Sequence, residues 1–313
     1  MRRLKNIWVF ADKASSLAEL CAGGRQLGEN VAAVVLGGEE TARQAIEQGA
    51  DQVYWLGLKA EDKMLEDYTR TIAGLLEKHR PELFLLNAGR RTKVVAGRLA
   101  ALFATSAITD AMQFVIGENG DLQIARLVYG GLAIRLEKPL SAMAIATVGN
   151  GVFKAAADGS NRQGTVTEVP WVEDGCRLKL LERRARDTEP VDLAAAARVV
   201  GVGRGIGKEE GLAMVYALAR QLKAEVACTR PLAEGEKWMS PERYIGVSGT
   251  MIKPDMYLAL GISGQIQHMT GVNKARVIIA VNKDINAPIF EQSDYGLVGD
   301  LYKIIPALLK SRL

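Results

Sequence analysis

Short apolar runs and longer stretches with helical spacing alternate through the first 150 residues of the chain. Ile7-Trp8-Val9-Phe10 reads as a buried strand, and residues 14–27 carry apolar positions at the spacing of an amphipathic helix. The pattern continues with a strand at 31–36, a helix at 39–49 and a strand at 53–56. A long helix near 63–79 follows, then the buried strand Leu83-Phe84-Leu85-Leu86 and a helix around 91–104, with Arg90, Arg91 and Lys93 at its start. Apolar strands separated by helices predict a parallel sheet covered on both faces.

From about 111 to 148 the pattern changes. Residues 122–128, 132–136 and 143–147 read as strands joined by short turns, an added sheet element of the first domain. Residues 149–192 are rich in Gly, Asp, Arg and Glu, have weak periodicity, and read as the connection between domains. A second α/β unit opens at Arg198-Val199-Val200, with a helix near 208–222, strands at 225–228, 256–260 and 276–281, and a last helix near 299–311. The expected organisation is an N-terminal α/β domain over 1–190, including that connection, and a C-terminal domain over 191–313.

Composition narrows the class of protein. The 313 residues include 48% hydrophobic and 24% charged side chains, ordinary for a globular protein large enough to bury its own core. The net charge is only +4 and the basic residues are dispersed; Arg183, Arg184 and Arg186 sit beside Asp187 and Glu189, which argues against nucleic-acid binding. Cys21, Cys176 and Cys228 are far apart and odd in number, as expected of reduced thiols. The basic start is followed by an apolar run too short for a leader, and no stretch is long enough to insert in a membrane. The expectation is a cytoplasmic protein.

Three segments carry candidate chemistry. Gly201-Val202-Gly203-Arg204-Gly205-Ile206-Gly207 follows a strand and precedes a helix, where glycines let the backbone approach a phosphate. Ile206 and Lys208 break both possible GxGxxG registers, so a standard nicotinamide fingerprint is absent, and a plain tight turn is the alternative. Gly261-Ile262-Ser263-Gly264-Gln265-Ile266-Gln267-His268 is a second junction of this kind, in which His268 is either a site residue or a satisfied structural histidine; His79 lies on a surface-like helix. Asn282-Lys283-Asp284 ends an apolar strand, where α/β folds place ligands, although an Asx turn explains it equally well. Asp294 or Asp300 is the candidate N-cap of the last helix. No carboxylate pair, Ser/His/Asp set or metal-ligand spacing competes with these segments.

Taken in order, Gly203-Arg204-Gly205, Thr229-Arg230-Pro231, Leu260 through His268, Asn282-Lys283-Asp284-Ile285-Asn286-Ala287-Pro288 and Asp294-Tyr295-Gly296-Leu297-Val298-Gly299-Asp300 closely resemble the alpha subunit of electron transfer flavoproteins. The match covers 198–313, with a looser echo at Tyr129-Gly130-Gly131-Leu132-Ala133, and it is nearest the FixB-type branch. The resemblance implies a nucleotide-hydrolase-like N-terminal domain, a Rossmann-like FAD-binding domain and a heterodimer with the smaller beta subunit. It also implies electron transfer from acyl-CoA-type or other dehydrogenases to a quinone- or ferredoxin-linked oxidoreductase. A bifurcating assembly with a second FAD in the beta subunit is an extension of the same reading.

The resemblance further implies residue roles. Arg204 would lie at the flavin or its diphosphate, and Arg230, beside Thr229, over the isoalloxazine ring. Ile245, Gly246 and Val247 would belong to the cofactor site, and Ser248 would donate to flavin N5. Ser263, Gly264, Gln265, Ile266, Gln267 and His268 would wrap the diphosphate and ribityl chain, with His268 near the pyrimidine end. Asn282, Asp300 and Leu301 would hold the adenosine. Where relatives carry Gln-Thr-Gly this chain has Val247-Ser248-Gly249, which keeps a hydroxyl and loses an amide. The chain would then be a carrier with no substrate-transforming site. A nicotinamide-dependent oxidoreductase and a flavin-free scaffold subunit are the alternatives.

Overall fold

In the first unit, strands β1 (Leu4–Phe10), β2 (Gly28–Val35), β3 (Gln52–Trp55) and β4 (Leu83–Asn87) alternate with helices α1 (Ala14–Leu27), α2 (Glu39–Glu47), α3 (Thr69–His79) and α4 (Arg90–Leu102). Strands β5 (Ala107–Ile116), β6 (Leu122–Val128), β7 (Ala133–Glu137), β8 (Ala144–Val148) and β9 (Thr165–Glu168) follow. The structure is a computed structural model that describes residues 3–155, 162–175, 178–183, 191–193 and 195–311, with Gly130 described by its backbone alone. Cys176, Arg184, Arg186, Asp187, Glu189 and the expected domain boundary at 190 lie outside the described residues.

The sheet runs β7-β6-β5-β8-β4-β1-β2-β3-β9. Two sequence expectations change here. β8 lies between β4 and β5, parallel to both, so the 111–148 region contributes an interior strand as well as an antiparallel arm. All five residues of β8 are buried, which explains the unbroken apolar run. Nor is 149–192 only a connection, because β9 pairs in parallel with β3. Its four residues are exposed, so no hydrophobic alternation marks it in the sequence. His79 is half-buried, its ring 5.1 Å from Trp8 and 5.0 Å from Tyr54. Cys21 and Cys228 are buried free thiols.

The second unit carries β10 (Arg198–Val202), α5 (Leu212–Leu222), β11 (Glu225–Cys228), β12 (Met256–Leu260), α6 (Ile266–Met269), β13 (Val277–Asn282), β14 (Tyr295–Val298) and α7 (Leu301–Lys310). Chain contacts group Tyr129–Gly131 with Ala185–Leu313 in this unit, and Met1–Val128 with Leu132–Arg184 in the first. Its five strands lie in the order β11-β10-β12-β13-β14, every pair parallel. Alternate residues feed two cores. Val200, Val202, Leu258 and Val281 pack with α5 and α7, while Val199, Tyr257, Ala259 and Ala280 pack with Ile245, Ile252, Met269 and Val272. Burying each such aliphatic side chain contributes about 1.5–3 kcal/mol.

Strand β14 is a further difference. The run from Asp294 reads in sequence as the opening of the last helix, yet Tyr295–Val298 pairs with β13 as an edge strand. Asp294 accepts from the Ile278 N–H at 2.8 Å and so anchors that edge. Asp300 is the N-cap of α7, accepting from the Tyr302 N–H at 2.9 Å.

Candidate functional site

The chain leaves β10 for β11 on one side and later returns to β12 on the other, so strand order reverses between β10 and β12. In doubly wound sheets this reversal splays the connecting loops and opens a crevice at the carboxyl ends of the strands. Gly203–Gly207 leaves β10 at that point and residues 261–265 leave β12. The two loops are laced together: the Gly203 N–H donates to the Leu260 carbonyl at 2.9 Å, and the Gly205 N–H to the Gly261 carbonyl at 3.0 Å. Such proximity requires glycine. A Cβ on Gly203 would lie 2.4 Å from the Gly261 oxygen, and one on Gly205 would lie 2.6 Å from the Gly261 Cα.

The rest of the predicted set arrives at the same edge of the sheet. Thr229 and Arg230 leave β11, Asn282 ends β13, and Asp300 and Leu301 follow β14. The segment from Tyr244 returns to this edge, where the Ile245 N–H donates to the Cys228 carbonyl at 3.0 Å. Helix α6 and the turn after it then hold it: the Val247 N–H donates to the Gln267 carbonyl at 2.8 Å, and the Ile252 N–H to that of Gly271 at 2.8 Å. Five loops from five parallel strands, with 245–248 added, thus line one edge.

Their side chains differ in how committed they are. Arg204, Val247, Ser248, Ser263, Gln265, Ile266 and Gln267 are exposed. Arg230 is exposed too, but its Nε donates to Glu234 Oε2 at 2.6 Å, and this hydrogen bond is the first cause raising its pKa. The Ser248 hydroxyl lies 3.1 Å from the hydroxyl of buried Tyr244. Asn282 donates to the Ile262 carbonyl at 2.8 Å and accepts from the Asp284 N–H at 3.0 Å, so the Asx turn is present. Leu301 is buried against the core beneath α7. Gly246 has φ +150, and Gly264 has φ +86 beside the Ile289 backbone.

Both ring nitrogens of His268 have partners within the chain. It is buried, with Nε2 at 2.7 Å from the Tyr257 hydroxyl and Nδ1 at 3.1 Å from the Ile245 carbonyl. A carbonyl only accepts, so Nδ1 carries the proton and Nε2 accepts from Tyr257. Burial lowers its pKa to about 4, partly offset by the Ile245 carbonyl. Tyr257, Tyr244 and Glu234 were absent from the sequence-derived set. A lone tyrosine in the otherwise aliphatic strand Met256-Tyr257-Leu258-Ala259-Leu260 is the signal that marks the first, since a buried phenol requires a partner.

Two expectations about anion binding also change. Helix α5 begins only at Leu212, after 3-10 turns at Arg204–Ile206 and Glu209–Gly211, so the glycine turn does not run directly into its N-terminus. Helix α6 is four residues long. A diphosphate at this edge would therefore be met by the laced backbone and by Arg204 and Ser263, rather than by a long helix dipole. The close-packed glycines, exposed polar side chains and open carboxyl edge fit an extended dinucleotide.

A doubly wound unit with this edge belongs to the dinucleotide-binding class. Residues 192–273 match the electron transfer flavoprotein FAD-binding domain, and residues 7–173 match the electron transfer flavoprotein domain. YdiR of Escherichia coli (strain K12), named as an electron transfer flavoprotein subunit, is 44% identical over 99% of this chain and 98% of its own length. FixB of Salmonella typhimurium is 43% identical over 98% of both chains, and FixB of Escherichia coli O157:H7 is 42% identical over the same share. The chain belongs to the electron transfer flavoprotein family, as an alpha subunit of the FixB type. It is an electron carrier, and its cofactor is FAD.

Proposed function

We propose that this chain pairs with an electron transfer flavoprotein beta subunit, holds FAD at the carboxyl edge of its second sheet, and passes electrons between redox proteins in the cytoplasm without transforming a substrate itself. Acyl-CoA-type or other dehydrogenases are the donors, and a quinone- or ferredoxin-linked oxidoreductase is the acceptor. The observation that carries the reading is that five strand-end loops line one carboxyl edge of the sheet, those of β10, β11 and β12 within the segment that matches the FAD-binding domain. Bound FAD supplies the one- and two-electron redox chemistry. The protein orients it and sets its electrostatics. The laced glycine loops, with Arg204 and Ser263, take the diphosphate; Thr229, Arg230 and residues 245–248 face the ring; Asn282, Asp300 and Leu301 take the adenosine. Among described residues no helix is long and apolar enough to cross a membrane, and none forms a metal-binding cluster.

Co-expression with the beta subunit tests the reading. The purified heterodimer should be yellow and release FAD, not FMN, on denaturation. A colourless complex that FAD cannot reconstitute would sink it. The same extraction addresses a bifurcating assembly, since two FAD per heterodimer support it and one FAD with one AMP exclude it.

A further inference from the structure

Between Tyr244 and Thr250 the chain doubles back on itself. The Thr250 N–H donates to the Tyr244 carbonyl at 2.8 Å, and the Gly249 N–H to the Gly246 carbonyl at 3.0 Å. The Tyr244 ring fills the bend. A Cβ on Gly246 would lie 2.9 Å from its hydroxyl oxygen, and one on Gly249 would lie 2.8 Å from its Cδ1, so both glycines make room for this phenol. The buried ring packs in the core with Cys228, Leu232 and Met239. Its hydroxyl reaches the hydroxyl of exposed Ser248, 3.1 Å away. Either group can donate in such a bond, and burial decides which does. Among the described residues Ser248 is the hydrogen-bond partner of this phenol. Were Ser248 the donor, the phenol proton would be buried without an acceptor, a state that folded proteins avoid. The exposed Ser248 proton is under no such demand, and a phenol is the more acidic hydroxyl and the better donor.

We propose that Tyr244 is a positioning residue of the flavin site: its phenol donates to Ser248 Oγ and so holds the Ser248 hydroxyl with its proton free to be given to flavin N5. The assignment rests on the flavin-site reading above, in which residues 245–248 face the ring, and deepens it. A serine hydroxyl left to itself rotates to suit whatever surrounds it. Accepting the phenol's bond removes that freedom, because the Ser248 proton must then lie away from Tyr244. The same bond polarises the Ser248 hydroxyl, which strengthens the bond it donates in turn. Tyr244 acts from the core side of the loop, and the close fit of Gly246 and Gly249 around its ring fixes it there before any ligand enters.

Redox titration of the FAD-bound heterodimer tests this. Ser248→Ala removes the donor to the flavin and should lower the midpoint potential. Tyr244→Phe keeps the ring that fills the loop and should lower the potential by part of that shift. Both changes together should lower it no further than Ser248→Ala alone, since Tyr244 acts only through Ser248. A merely structural role for Tyr244 would instead add a second drop in the Ser248→Ala background, and that result overturns the proposal. So does a Tyr244→Phe potential that stays where it was or rises, a rise being the sign that Ser248 had been donating to the phenol. If Tyr244→Phe fails to assemble, Tyr244→3-fluorotyrosine decides. The fluorine makes the phenol a stronger donor at almost the same size, so the potential should rise, and one that is steady or falls overturns the assignment. A Ser248→Ala heterodimer with FAD bound and its potential unmoved would overturn the proposal and leave the FAD reading intact. A colourless unaltered heterodimer would refute the FAD reading itself.

Discussion

Gly264 turns with φ +86, and a Cβ there would lie 2.3 Å from the Ile289 backbone nitrogen. Both the left-handed backbone and the crowding oppose any side chain, so Gly264→Ala should destabilise the second unit by about 1–3 kcal/mol and weaken FAD retention. Urea titration followed by flavin release measures it; unchanged stability would mean that this turn is not as tight as drawn. Ser248 and Arg230 are different in kind, being exposed and outside both cores. Ser248→Ala should leave folding intact and lower the flavin midpoint potential by about 40 mV, the equivalent of one net hydrogen bond for one electron. Arg230 is drawn toward Glu234 at 2.6 Å. Removing that competitor in Glu234→Gln should raise the potential, whereas Arg230→Ala should lower it. Redox titration reads all three, and potentials that do not move with flavin still bound would show these residues to be misassigned.

At the scale of elements, α7 carries the sharpest test, because Asp300 has two readings that separate experimentally. As an N-cap it accepts from the Tyr302 N–H, so Asp300→Ala should cost about 1 kcal/mol of stability. Asp300→Asn keeps a capping oxygen. If the carboxylate also holds the adenosine, Asn should restore stability without restoring FAD affinity, which flavin fluorescence on dilution will show. Full recovery of both would leave only the cap. Most of the long elements were legible in the sequence because each buries a regular face or, like β4, an unbroken apolar run. Helix 14–27 and the strands at 225–228 and 256–260 fall where the pattern puts them. The elements that were missed lack that signal: β9 and β14 are four-residue edge strands with every residue exposed, and β5 mixes buried, half-buried and exposed residues without a regular alternation. Position at strand ends was likewise legible for the site residues. The partners of His268 were not, since Tyr257 and Ile245 lie 11 and 23 residues away in sequence and only the sheet order brings them together.

For the whole molecule, the buried histidine couples folding to acidity. In the folded chain His268 titrates at about 4, against an ordinary value of 6.5, because burial disfavours its charged form. Above pH 6.5 the folded and unfolded chains are both neutral at this position and its contribution is constant. As pH falls from 6.5 toward 4, the unfolded chain binds a proton that the folded chain refuses, so stability declines through that window and levels off below it. The shift corresponds to about 3 kcal/mol in all. His79 is shifted in the same direction, first by desolvation and then by Lys78, but it is common to both proteins in a comparison with His268→Gln. That variant keeps a donor for Ile245 and an acceptor for Tyr257 while removing the titration. Its stability relative to the unaltered heterodimer should therefore rise by about 3 kcal/mol between pH 7 and pH 4, read from urea midpoints of flavin release. A difference that stays flat across that range would mean that His268 takes up its proton in the folded protein as readily as in the unfolded chain, and that the Tyr257–His268–Ile245 contacts do not hold it neutral.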